Sequence, residues 1–158
     1  MRDFFKRYIP EFVYGAVDGT VTTFAVVAAS AGAGISSSVI LILGIANLIA
    51  DGFSMGSSAY LAASAEHEES VRDSQKRSSP KIIGTVTFLA FVVVGSVPVL
   101  PYLIDVIANL KAPNVVSFYV SSALTAATFL AIGFIKGKVS KQSPWQSAGI
   151  TLLLGAIA

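Results

Sequence analysis

The chain has 158 residues, 54% of them hydrophobic and 13% charged, with a mean hydropathy of +0.73. An average soluble domain carries about 25% charged residues, so this composition excludes a disordered chain and argues against a water-soluble globule. The absence of cysteine removes disulfides, thiolate zinc sites, iron–sulfur clusters and thiol catalysis, and a net charge of +2 scattered between apolar runs builds no basic face for nucleic acid.

Uncharged runs set the expected elements. Residues 19–50 form a run of 32 without a charge, and residues 52–65 follow after the single Asp51. A helix needs about 20 apolar residues to cross a ~30 Å hydrocarbon core, so this region holds two helices. The break falls in Gly32-Ala33-Gly34-Ile35-Ser36, where a turn is cheap. The first helix is expected at 10–31 and the second at 37–65. Uncharged runs of 23 residues (82–104) and 24 residues (112–135) predict a third helix over 80–104 and a fourth over 113–135. A fifth begins near Pro144 and covers 144–158. Pro10, Pro80, Pro113 and Pro144 sit at or near four starts, where a missing N–H costs nothing. Pro98 and Pro101 should kink or end the third helix. The 14 residues from Trp145 to Ala158 give only about 21 Å of helix, so the expectation is a last span cut short. The fold class is an all-α integral membrane protein, one transmembrane domain of five spans over 1–158.

Ten of the eleven Lys and Arg lie on one side of these spans. Arg2, Lys6 and Arg7 precede the first, Arg72, Lys76, Arg77 and Lys81 lie between the second and third, and Lys136, Lys138 and Lys141 follow the fourth. Only Lys111 is opposite. The positive-inside rule then places the N terminus in the cytoplasm. Tyr8, Tyr102 and Trp145 near span ends suggest an aromatic belt. A cleaved signal peptide over 1–31 is disfavoured by Asp18 inside its apolar stretch.

Two carboxylates, Asp18 and Asp51, fall inside expected spans. A charge at membrane depth costs at least ~2.5–3.5 kcal/mol on insertion scales, so the default reading is functional. The bland alternative is a neutral acid bonded to Thr22 or Ser54. Asn47, Asp51 and Met55 are four apart, each step rotating by only ~40°, and form one stripe about 12 Å long. Glu11, Gly15, Asp18 and Thr22 share a face of the first helix. Carboxylate and amide oxygens with one thioether favour divalent first-row metals over calcium or magnesium. Taken singly, Met55 is a packing residue as readily as a ligand, and Asn47 an interhelical hydrogen-bonding group. Gly15 and Gly19 around Asp18, and Gly52 and Gly56 after Asp51, allow close helix approach and would also clear room for an ion. Glu66, Glu69 and Asp73 share a face if the second helix continues past 65, as a gathering point for cations or a plain solvated loop. His67 is the sole histidine, which excludes a His-based zinc site within one chain.

The segments GAVDGTVTTFAVVAASAGAG, GIANLIADGFSMGSSAYLAASAE and GSVPVLPY together resemble the vacuolar iron transporter family, also called the yeast calcium-cross-complementer family. The likeness covers nearly all of 9–158. It implies a five-helix protomer paired as a homodimer, a metal path between subunits, and exchange of cytosolic Fe²⁺ or Mn²⁺ for protons. By that resemblance Asp18, Met55 and Glu11 match family positions. Long members carry Glu where this chain has Asn47 and a small residue where it has Asp51, as if the acid had moved one turn, so either Asn47 or Asp51 contacts the ion. Long members also insert a carboxylate-rich helical domain between helices 2 and 3, where this chain has only about 66–79.

The expected function is export of a divalent transition metal, Fe²⁺ or Mn²⁺ with Co²⁺ and Zn²⁺ as further cargo, in exchange for protons. The metal residues are Asp18, Asp51, Asn47 and Met55, with Glu11 and Glu66 as entrance groups. No permanent cofactor is expected, and no phosphate-cradling glycine loop with Lys points to ATP. The partners are lipid, metal ions, protons and a second copy, since one protomer offers few ligands and two-fold dimers are the commonest assembly. The membrane is a plasma or vacuole-type membrane. The rivals are a non-transporting membrane assembly subunit and an intramembrane aspartyl protease, the latter because two membrane acids can share a proton.

Overall fold

The computed structural model describes the backbone of residues 2–69, 79–110, 112 and 114–157, and side chains over 6–66, 79–110, 112 and 114–157. Arg72, Asp73, Lys76, Arg77, Lys111 and Pro113, and the side chains of Arg2, His67, Glu68 and Glu69, lie outside this set. All regular structure among the described residues is helical.

Helix α1 is Arg2–Gly32 and α2 is Ser37–Glu69. The turn between them forms where expected. Gly34 takes φ +70, Ile35 N–H reaches back to Ser30 O at 3.1 Å and Gly34 N–H to Ala31 O at 3.0 Å. This pair of bonds closes the helix end on a left-handed residue that glycine adopts without a Cβ penalty. The first helix, however, does not start at Pro10. It runs through Pro10 from Arg2. A proline there removes one backbone bond, to Lys6, close to the N-terminal end of the helix, where few further turns depend on it. Helix α2 continues past residue 65, which keeps Glu66 on helix.

The third span is broken as its prolines require. Helix α3 is Pro80–Gly95, a 3₁₀ turn covers Val97–Val99, and α4 is Leu100–Ala108. A break within a span exposes backbone polar groups to hydrocarbon unless protein satisfies them. Ser121, on α5 (Asn114–Val139), donates to Pro98 O at 2.6 Å. The helical run also extends four residues beyond the expected 104, which brings Asp105 into the fold. Asp105 is buried and its Oδ1 accepts the Ala112 N–H at 2.9 Å. Asn114 donates to Ile35 O at 2.9 Å and Ser37 to Asn114 Oδ1 at 3.2 Å, so the two turns at this end are tied to each other.

Helix α6, Pro144–Ile157, starts at the expected proline. Among the described residues, four helical runs are long and apolar enough to cross a membrane: Lys6–Gly32, Ser37–Glu66, Pro80–Ala108 and Asn114–Val139. With 14 residues α6 is not among them. It packs on α5 across Gly133 and Gly137, whose missing side chains admit Ala148, Ser147 and Pro144.

One buried cluster joins Ala16, Ala90 and Ile132, and another joins Val27, Ile40, Val99 and Tyr102. Tyr102 is 0% exposed and Tyr8 is also buried, so neither belongs to an aromatic belt. Both rings lie on inward helix faces, which proximity to a span end does not reveal. Trp145 is 78% exposed, and large apolar side chains such as Phe53 and Ile107 cover the outside. In water such a surface is an aggregation liability, whereas in a bilayer it is the solvated face.

Candidate functional site

Glycine decides how α1, α2 and α3 meet. A Cβ at Gly19 would lie 2.5 Å from Phe91 O, and one at Gly95 would lie 2.8 Å from the Gly19 backbone. Gly15 abuts the Thr87 backbone. On α2, a Cβ at Gly52 would meet Phe91 and Val92, and one at Gly56 would meet Phe88 and the Gly84 carbonyl. All four glycines that flank the acids in sequence therefore face α3. They bring helices together and do not clear space for an ion.

With the glycine faces turned to α3, the acids turn elsewhere. Asp18, Asp51, Met55, Ser54, Ser58 and Tyr14 line one cavity of about 470 Å³ between α1 and α2. The two carboxylates face the same cavity from neighbouring helices. Asp18 is half-buried and Asp51 exposed on this open side. The hydroxyl of Thr22 donates to the Asp18 backbone carbonyl at 2.9 Å and leaves the carboxylate alone. Among the described residues no hydrogen-bond donor engages the Asp18 side chain.

A second cavity, about 300 Å³, adjoins the first and is lined by Glu11, Glu66, Pro10 and Thr87. Tyr14, Ala59 and Ala62 line both. Glu11 Oε2 is buried with no hydrogen-bond partner among the described residues, an expensive position that a cation or a proton would relieve. Glu66 is exposed at the outer edge.

Five of the six metal-candidate residues thus line two adjoining cavities. Asn47 does not. Its amide donates to Thr22 Oγ1 and Thr23 Oγ1, each at 3.4 Å, and ties α2 to α1. Among the described residues no three His, Asp or Glu side chains gather into a ready-made metal cage. Tyr14 and Ser58 were absent from the sequence-derived candidates. The signal was present, since Tyr14 is three residues after Glu11 and four before Asp18, and Ser58 is seven after Asp51.

A model of the VIT family matches residues 9–80 and 66–158. A protein named vacuolar iron transporter from Toxoplasma gondii is 46% identical over 61 residues, 39% of this chain and 20% of that protein. One of the same name from Plasmodium berghei is 32% identical over 71 residues, 45% of this chain and 26% of that protein. For these two, the chain spans only a fifth to a quarter of the relative's length. Vacuolar iron transporter 2 of Oryza sativa subsp. japonica is 26% identical over 210 aligned positions, 95% of this chain and 82% of that protein. The relatives that the chain matches are named as transporters, not as proteases. With both halves matched and four membrane-length helices in place, this integral membrane protein belongs to the VIT family.

Proposed function

We propose that this chain moves a divalent transition metal, Fe²⁺ or Mn²⁺, out of the cytoplasm in exchange for protons, across a vacuole-type or plasma membrane. The observation that carries the reading is the joint lining of one cavity by Asp18, Asp51 and Met55 at membrane depth. Two carboxylates supply charge and hard oxygen ligands, and the thioether favours borderline ions over Ca²⁺ and Mg²⁺. The iron named in the relatives' titles agrees with that donor set.

A carboxylate must be ionised to bind metal, so entry of the ion expels the proton it carries, and proton return displaces the ion. Two such groups couple the fluxes without a nucleotide. The Glu11 and Glu66 cavity is the entrance from the cytoplasm, because the clustered Lys and Arg mark that end of the bundle as the inner one. A homodimer completes the site. Asp51, Ser54 and Ser58 are exposed on a span, a costly face to give to lipid, and one protomer holds too few ligands to strip a hydrated ion. A second copy across this face would cover the polar groups and double the donors.

The test is uptake into proteoliposomes across Fe²⁺, Mn²⁺, Co²⁺, Zn²⁺, Ca²⁺ and Mg²⁺, with and without a proton gradient. Uptake of Fe²⁺ or Mn²⁺, driven by an acidic far side, is expected. Flux indifferent to the gradient removes the exchange mechanism, and no flux of any ion favours an assembly subunit.

A further inference from the structure

On the side of α2 away from the acids lies a groove of about 510 Å³ between α2 and α3, lined by Phe53, Ser57, Tyr60, Lys81, Thr85 and Phe88. Successive helix residues turn by about 100°, so Phe53 and Asp51 point roughly 200° apart and the groove is separate from the metal cavities. Gly56 and Gly84 form its floor, and their backbones are in close approach.

The groove is graded along its length. Lys81 is the second residue of the third span, at its outer end. Thr85 lies about 6 Å deeper and Phe88 about 10 Å deeper, at 1.5 Å per residue. On the antiparallel α2 the same order reads Tyr60, Ser57, Phe53. A cation thus sits at the span end with the Tyr60 hydroxyl near it, Ser57 lies about one turn deeper, and two phenyl rings sit below them. Lys81 makes no ion pair among the described residues, and the Tyr60 and Ser57 hydroxyls are unengaged there. Thr85 is different, since its hydroxyl donates to Lys81 O at 2.8 Å and is spent. Ser79, the N-cap of α3, makes no side-chain bond to the first turn; its carbonyl takes the Ile82 and Ile83 N–H groups, each at 3.0 Å.

We propose that this groove binds an anionic phospholipid, its phosphate held by Lys81 with Tyr60 and Ser57 and its acyl chain lying over Phe88 and Phe53. The charge of Lys81, which makes no ion pair among the described residues, selects an acidic headgroup over a zwitterionic one. Phe53, at 70% exposure, supplies apolar surface for the acyl chain to cover.

The experiment is native mass spectrometry of the full chain in detergent with added phosphatidylglycerol or phosphatidylcholine of identical acyl chains. The wild type is expected to retain phosphatidylglycerol preferentially, and Lys81→Gln to cut that preference about fivefold, the worth of one basic residue at a membrane surface. Lys81→Arg should restore it. Ser57→Phe, which fills the groove, should weaken both lipids alike. Lys136→Gln, on α5 at the same end, should change nothing. An unaltered preference in Lys81→Gln, an equal loss in Lys136→Gln, or displacement of the lipid by inorganic phosphate alone would each overturn the proposal.

Discussion

Helices α1 and α2 each carry two unlike faces. Toward α3 they present Gly15 and Gly19, where the backbones meet too closely for a Cβ, and Gly52 and Gly56, which receive the side chains of Phe88, Phe91 and Val92. Toward the open side they present Tyr14, Asp18, Asp51, Ser54, Met55 and Ser58 around a cavity. The first face is built to be filled and the second to be left open. Residues adjacent in sequence, Asp18 and Gly19 or Asp51 and Gly52, are turned by about 100° and belong to different faces. The helix period separates packing from chemistry, so a change in one need not disturb the other.

The sharpest break of that comparison is a neighbouring pair. Gly19→Val should abolish the folded protein, because its Cβ meets the Phe91 carbonyl and neither helix can withdraw without opening the bundle. Size-exclusion chromatography of a fluorescent fusion reads this directly. Asp18→Asn, one residue away, should give a folded protein with no metal flux in proteoliposomes. Undiminished transport by Asp18→Asn would remove the acid from the path.

A smaller effect belongs to the broken third span. Ser121→Ala leaves the Pro98 carbonyl buried without its donor and should lower stability by about 1–3 kcal/mol, seen as a fall in melting temperature. Transport by the surviving protein should be normal, since Ser121 faces neither metal cavity.

On the open face, Met55→Ala should lower Fe²⁺, Co²⁺ and Zn²⁺ flux more than Mn²⁺ flux and increase inhibition by Ca²⁺, because the sulfur is the one soft donor there. A packing defect alone depresses all ions alike, and that outcome would make Met55 a structural residue.

Asn47 stands on the border between the faces and is expected to show the smallest change. Its bonds to Thr22 and Thr23 are long, at 3.4 Å, and interhelical side-chain bonds in membranes average about 0.6 kcal/mol. Asn47→Ala should therefore cost a little stability and keep ion selectivity. A loss of selectivity equal to that of Met55→Ala would return Asn47 to the ion path.

Much of this was legible in the chain before any coordinates. The uncharged runs located the spans, Gly34 and the proline pair located the breaks, and Asp18, Asp51 and Met55 stood out as costly or chemically apt residues at membrane depth. Those features are local: hydropathy counts neighbours along the chain, and a left-handed turn or a missing N–H acts within a few residues. What lay beyond reach was which partner each helix face meets. Period and spacing grouped Asn47 with Asp51 and Met55, yet α1 draws Asn47 to its threonines while the other two open on the cavity. The glycines read as sites of close helix approach that also leave room for an ion; the approach is there, but it is α3 that fills the room. Tyr102 looked like an interface residue and Asp105 fell past the expected helix end, and both are buried by α4's return against the bundle. A helical repeat states that residues share a face, but only the packing of another helix, decided across distances of tens of residues, determines whether that face is covered, open or wet.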